Sequence, residues 1–325
     1  MTAAIATRQL TKDYKVGFWR PRPYRALDAL TLEVEPGEVF GFLGPNGAGK
    51  STTLKLLMQL VYPTSGSATI LGRPLGDIGV KRRIGFLAEN PYFYDYLTAE
   101  ELLAYFAGLF GLRGEDRRRR VERLLDAVQI GAERRMQLRK FSKGMIQRVG
   151  LAQALVNDPE VVFLDEPMSG LDPLGRRDVR ALILKLRDEG RTVFFSSHIL
   201  SDAEALCSRV AVLARGRLVA SGRIADIVAF QAHGWEAIVE GVPEEALARV
   251  RSRARGVQRI AEGRFAIDFD ASQPPETMVP ELVATGGRLV SINPLRETLE
   301  DFFVKQVAAA DWDRFGAVSP EEKRS

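Results

Sequence analysis

The run Gly44-Pro45-Asn46-Gly47-Ala48-Gly49-Lys50-Ser51-Thr52 has the spacing G-x-x-x-x-G-K-[ST], which suits a triphosphate. Glycines let successive backbone N–H groups turn toward one anion, and a helix starting at the lysine adds its positive end. Lys50 can reach the β- and γ-phosphates, and the Ser51 hydroxyl can ligate Mg²⁺. A chance glycine-rich turn would not carry all these features at this spacing.

Two further groups of residues extend that chemistry. Leu164-Asp165-Glu166-Pro167 places two adjacent carboxylates after an apolar run. At the end of a buried strand, Asp165 suits the metal and Glu166 the proton of an attacking water. His198, in Ser196-Ser197-His198, follows another apolar run, Thr192 to Phe195. Strands of one parallel sheet end on the same edge, so His198 is expected near the γ-phosphate, where it can hydrogen-bond that phosphate or orient Glu166. Phe141-Ser142-Lys143-Gly144-Met145 opens a helix with a hydroxyl, a glycine and free N–H groups, a second anion site. Its place far from the phosphate loop makes sense if it serves the nucleotide of a second chain.

The elements that must position these residues read as follows. Glu38 to Leu43 is a short apolar strand before the loop, and a helix follows from Thr53. Ile5 to Leu10 and Ala29 to Glu35 alternate like strands at a sheet edge. Tyr14 to Arg25, rich in Pro and Arg, reads as a loop with exposed aromatics. Tyr14 in it either stacks on a purine base or packs on its own domain, and Phe18, Trp19 and Tyr24 are read as packing. Residues 90–157 read as a helical insert, with a capping box at Thr98 and Glu101. Arg117 to Arg120 lies within it, balanced by Glu115, Asp116 and Glu122, and reads as a solvated helix face. Val161 to Leu164, a helix from Leu174 to Glu189 and Thr192 to Phe195 make a βαβ unit of a parallel sheet. Beyond residue 222 the order becomes β-α-β-β-α-β, the ferredoxin-like pattern, and Leu295, Leu299, Phe302 and Phe303 line one face of a last helix. The expected fold is therefore α/β: a phosphate-loop core over residues 1–222 with a helical subdomain at about 90–157. A small α+β accessory domain at 223–308 and a polar tail at 309–325 complete it.

Composition bounds the rest. A chain of 325 residues, 46% apolar and 27% charged, is ordinary globular material for roughly two domains. A net charge of +4 is too small to imply nucleic acid. Cys207 is alone, which excludes a disulfide framework and a cysteine zinc site. The first residues lack a secretory pattern, and the longest apolar run, Leu102 to Leu112, is too short to span a bilayer. A cytoplasmic protein is expected, meeting the membrane through a partner.

Taken in order, these motifs resemble the ATP-binding cassette (ABC) ATPases over about residues 3–222. Gly44–Thr52 is similar to the Walker A, Phe141–Met145 to the signature loop and Val161–Glu166 to the Walker B. Ser169-Gly170-Leu171-Asp172 is similar to the D-loop, His198 to the switch histidine and Tyr14 to the base-stacking aromatic. The resemblance implies that Gly44 to Thr52, Tyr14, Glu89, Ser142, Gly144 and Asp172 contact ATP. It also implies that Ser51, Asp165 and Glu89 serve Mg²⁺, and that Glu166, His198 and Lys50 are catalytic. It implies a head-to-tail homodimer or heterodimer, with two ATPs between the Walker A of one chain and the signature of the other. Closure on ATP would drive separate transmembrane permease subunits, on the cytoplasmic face of a bacterial membrane, to export a drug, lipid or polymer. Lys143, Met145 and Glu89 depart from the commonest residues of the family at their positions. The rivals are a soluble ABC ATPase acting on nucleic acid or ribosomes, and an ATP-gated regulatory module. The first usually needs two cassettes, a coiled-coil insertion or zinc cysteines, and the chain has none of these. Aromatics directly after Glu89, from Pro91 to Tyr96, are the candidate contact with a partner helix, with packing of the helical insert as the alternative.

Overall fold

The computed structural model describes residues 2–296, apart from 18, 20, 228–231, 273–278, 281, 282 and 285. It divides into a unit ending at Ile224 and a second beginning at Ala225.

The first unit is built on a six-stranded sheet in the order β10-β9-β3-β8-β7-β6. Its strands are β3 (Val39–Leu43), β6 (Ile84–Leu87), β7 (Val161–Asp165), β8 (Thr192–Ser197), β9 (Arg209–Ala214) and β10 (Arg217–Arg223). All neighbours are parallel except β10, which forms a hairpin with β9. Every residue of β3, β7 and β8 is buried, which is why these strands read as unbroken apolar runs rather than alternating ones. Phe194 of β8 ties the three together, its ring centroid 5.8 Å from Phe40, 5.1 Å from Phe42 and 5.8 Å from Phe163. Removing such a ring costs about 3–5 kcal/mol. The Phe194 cluster therefore fixes the relative height of three strand ends.

A second sheet has the order β2-β1-β4-β5, from β1 (Ile5–Val16), β2 (Arg22–Val34), β4 (Ser65–Ile70) and β5 (Arg73–Pro74). The expected edge strands thus form an antiparallel sheet of their own. Most of the expected loop from Tyr14 to Arg25 is also strand: β1 and β2 continue outward as a hairpin, with Tyr14 opposite Tyr24 and Lys15 opposite Pro23. Pro23 is tolerated there because β2 is the edge of its sheet, where an absent N–H breaks no ladder.

Helices complete this unit: α1 (Lys50–Leu57), α2 (Ile78–Lys81), α3 (Ala99–Leu109), α4 (Gly114–Ala127), α5 (Lys143–Ala154), α6 (Pro173–Asp188) and α7 (Leu200–Leu206). A single turn, α8 (Ile224–Ile227), follows β10. The helical insert is α3, α4 and α5. Thr98 caps α3 with both halves of the predicted capping box: its hydroxyl accepts from Glu101 N, and Glu101 accepts from Thr98 N. In the arginine run, Arg118 and Arg119 pair with Glu115, and Arg120 reaches Asp158.

The second unit holds β11 (Ala232–Glu240), α9 (Glu244–Arg251), β12 (Gly256–Ala261), β13 (Arg264–Asp270) and β14 (Arg288–Arg296), with sheet order β12-β13-β11-β14. All its neighbouring strands are antiparallel. Its core is Ala237, Val239, Val242, Ala246, Leu247, Ile267 and Phe269. Leu295, expected on a last helix, instead extends β14 and pairs with Gly234. Leu299, Phe302, Phe303 and the tail lie outside the described residues, as does most of the helix expected over Pro275 to Thr285.

Candidate functional site

The strands β3, β6, β7 and β8 run parallel, so the residues that follow them share one edge of the sheet. Those residues are the phosphate loop, Glu89, Glu166 and His198.

The loop from Gly44 to Gly49 is held in shape by backbone hydrogen bonds, one within itself and two to Ser197 and Gly216. Gly44 N donates to Ser197 O at 3.4 Å, Ala48 N to Pro45 O at 3.1 Å, and Ala48 O accepts from Gly216 N at 2.8 Å. Gly49 begins α1 at φ 106, where a Cβ would stand 2.6 Å from Ala26 O. A Cβ on Gly44 would stand 2.6 Å from Leu213 O. Both positions therefore require glycine. Gly47, at φ +78, faces open space.

Lys50 is buried, and its ammonium donates to Gly44 O at 2.7 Å and Pro45 O at 3.3 Å. It also stands 3.3 Å from Glu166 Oε1. The other Glu166 oxygen, Oε2, is in hydrogen-bonding contact with His198 Nδ1 at 2.9 Å. One buried carboxylate thus joins the lysine to the histidine, which is half open to solvent. Glu166 itself sits at φ 50, an uncommon backbone for a residue with a side chain and of a kind that gathers at functional sites.

Asp165, 5% exposed, ends β7, and its Oδ1 accepts from Ser196 Oγ at 2.5 Å. The same Ser196 hydroxyl oxygen accepts from Glu166 N at 3.1 Å. One side chain on the neighbouring strand therefore positions both acids. Gln147, buried on α5, donates to Pro167 O at 3.3 Å and so ties the segment after the acids to the helical insert. Nothing in the local sequence around Ser196 or Gln147 marks either as a positioning residue. For Ser196 the signal was available in the register, because Asp165 pairs with it across β7 and β8.

A cleft of about 310 Å³ runs over this edge, lined by Pro45, Asn46, Gly47, Gly49, Lys50, Ser51 and Thr52, with Glu89 and Glu166 beside them and Tyr14 and Tyr24 at the hairpin. The loop N–H groups and Lys50 fit a triphosphate. The Ser51 hydroxyl and Asp165 carboxylate are hard oxygen donors that fit Mg²⁺. Among the described residues no three His, Cys, Asp or Glu side chains gather to hold a metal by themselves. The residues present suit an ion that arrives with phosphate oxygens.

Ser142, Gly144 and Asp172 are not in that cleft. They line a second one of about 580 Å³, with Lys143, Met145, Arg148 and Leu171. Ser142 caps α5 by accepting from Met145 N at 3.2 Å, and Asp172 caps α6 by accepting from Gly175 N at 2.8 Å. The sequence-predicted residues therefore form two groups, a phosphate-loop cleft and a signature-like cleft.

Fold and site together define a phosphate-loop ATPase cassette with a helical insert. Residues 27–169 match the family model described as ABC transporter. An uncharacterised ABC transporter ATP-binding protein of Synechocystis sp. is 46% identical over 305 residues, covering 93% of this chain and 84% of that protein. The bacitracin transport ATP-binding protein BcrA of Enterococcus faecalis is 33% identical, covering 94% of this chain and 97% of its own. Among solved structures, the ATP-binding cassette MJ0796, a dimer in a post-hydrolysis state bound to ADP and Pi, superposes with a TM-score of 0.63 at 27% identity, covering 67% of this chain and 98% of that one. The chain belongs to the ABC transporter family, as an ATP-binding subunit that works with transmembrane components. It is an ATPase and uses ATP with Mg²⁺. Among the described residues no helix is long and apolar enough to cross a membrane.

Proposed function

We propose that this chain powers export of a drug, lipid or polymer, as a homodimer or heterodimer docked on the cytoplasmic face of separate bacterial membrane subunits. The observation that carries this reading is the separation of the two clefts, one built on Gly44–Thr52 and the other on Ser142–Met145. A signature-like anion site outside its own phosphate cleft is complete only when a second chain brings its nucleotide. Relatives named for bacitracin transport and for a probable multidrug transporter support a drug among the candidate cargoes.

In this reading the triphosphate replaces the Gly44 and Pro45 carbonyls as partners of Lys50. Glu166 takes a proton from water as the water oxygen bonds to the γ-phosphorus and the bond to the bridging oxygen breaks, giving ADP and phosphate. His198 holds Glu166 in place through the 2.9 Å contact. Ser51 and Asp165 would hold Mg²⁺, with Glu89 facing the same cleft, and the ion would supply neutralisation of the charge developing on the phosphates. Tyr14 supports the base, and Asp172 fixes the start of α6 beside the partner's nucleotide.

A groove of about 400 Å³ lined by Met58, Phe86, Pro91, Tyr92, Phe106 and Phe110 supports docking of a membrane-subunit helix. Tyr92, in its wall, is 94% exposed. We place the cassette at residues 1–222 and an accessory domain at 223–308. The strand order β12-β13-β11-β14 supports a ferredoxin-like fold for the latter, with a regulatory or dimerising role. No nucleic-acid partner is proposed.

The test is a pull-down from detergent-solubilised native membranes with ATP-loaded Glu166→Gln protein. Recovery of a polytopic membrane protein is expected. Recovery of nucleic acid or soluble protein alone would overturn the transporter reading.

A further inference from the structure

The hairpin of β1 and β2 brings a second aromatic ring to the nucleotide cleft. Tyr14 and Tyr24 are direct partners across an antiparallel ladder, so their side chains leave the same face of the hairpin. Both line the cleft together with Gly47, Lys50 and Thr52. Their strand neighbours Asp13 and Arg25 pair with each other at 2.9 Å, and Arg25 also reaches Asp28 at 3.0 Å. These bridges brace the backbone beneath the two rings.

The rings themselves differ. Tyr14 is half-buried, and Lys12 Nζ sits 5.1 Å from its centroid while donating to Tyr62 O at 2.6 Å. Lys12 thereby fixes the Tyr14 ring and closes one of its faces. Tyr24 is 53% exposed. An exposed tyrosine on the wall of a phosphate-binding cleft offers accessible side-chain surface to a flat apolar ligand.

We propose that Tyr24 is a second base-binding residue, which together with Tyr14 makes a two-ring platform and sets a preference for purine over pyrimidine nucleotides. The inference rests on the nucleotide reading of this cleft. Directly paired residues on adjacent strands have Cβ atoms only about 4.5–5.5 Å apart. A fused bicyclic base is long enough to lie across both rings, whereas a single six-membered base covers one. The selectivity then comes from stacking area and needs no hydrogen bond to a base edge.

The test measures binding of ADP, CDP and inorganic pyrophosphate to the full chain by calorimetry with Mg²⁺, using diphosphates so that nothing is hydrolysed. Tyr24→Ala is expected to weaken ADP about 3- to 10-fold, the worth of one aromatic contact, to change CDP less than twofold and to leave pyrophosphate unchanged. Tyr24→Leu, which keeps an apolar strand residue without the ring, should give the same pattern, and Tyr24→Phe should bind like the wild type. Unchanged ADP affinity in Tyr24→Ala would overturn the proposal, as would a parallel loss of pyrophosphate, which marks a structural role. Wild-type protein that binds none of the three overturns the nucleotide reading itself, and the proposal with it.

Discussion

Lys50 Nζ lies 3.3 Å from Glu166 Oε1, with both side chains buried. The ammonium meant for the phosphates and the carboxylate meant for the water thus hold each other, while His198 holds the second carboxylate oxygen. Converting Glu166 to Gln removes the charge and keeps the shape, and Lys50 keeps its two carbonyl partners. ATP binding is therefore expected to persist in Glu166→Gln while hydrolysis falls roughly 10²–10⁴-fold, the usual worth of a general base. Calorimetry and phosphate release measure the two separately. Turnover near the wild-type rate would remove Glu166 from that role.

The loop glycines make unequal demands. At Gly49 a Cβ would meet Ala26 O at 2.6 Å on a backbone of φ +106, whereas at Gly47 the space is open. Gly49→Ala is expected to abolish nucleotide binding and to cost about 2–3 kcal/mol, adding a clash to the left-handed penalty. Gly47→Ala should cost about 1 kcal/mol, the backbone penalty alone. Thermal melts with and without ADP check both, and equal behaviour of the two variants would contradict the geometry.

Much of this site was legible because phosphate chemistry demands residues close together in sequence. Gly44 to Thr52, the acid pair and the cap at Ser142 each carry their meaning within a few positions. Ser196 and Tyr24 do not. Ser196 matters through the parallel register that sets it beside Asp165, and Tyr24 through the antiparallel register that sets it beside Tyr14. The prolines and arginines around Tyr24 argue locally for a loop, and Pro23 is acceptable in β2 because that strand is a sheet edge. Leu295 shows the same limit: its apolar spacing fits a helix, yet it extends β14.

Asp158, between α5 and β7, bridges parts of the fold distant in sequence. Its Oδ1 accepts from Arg191 at 2.8 Å, beside β8, and from Arg120 of α4 at 3.1 Å. The Arg191 hydrogen bond, opposed by partial burial and aided by Arg120, holds the carboxyl below its ordinary value. A carboxyl depressed in the folded state stabilises above its unfolded pKa, about 3.9, and that stabilisation is lost as pH falls through the folded value. Because the side chain is over half exposed, the two contacts together are worth about 1 kcal/mol. Asp158→Asn is expected to lower the melting temperature by a few degrees at pH 7, with the gap to wild type closing below about pH 4. A gap that stays constant down to pH 3 would rule out the ion pairs as its source.

Each working site is expected to need the phosphate loop and acids of one chain and Ser142 of another. Ser142→Arg spoils the signature-like cleft and Glu166→Gln the phosphate cleft, so each purified variant alone should be inactive. Mixed, they can pair so that one of the two sites in the dimer is intact. The decisive measurement is ATP turnover of that mixture. Recovery of about a quarter of the wild-type rate is expected for random pairing in a two-fold dimer. A mixture as inactive as its components, with paired chains present by sedimentation, would contradict it.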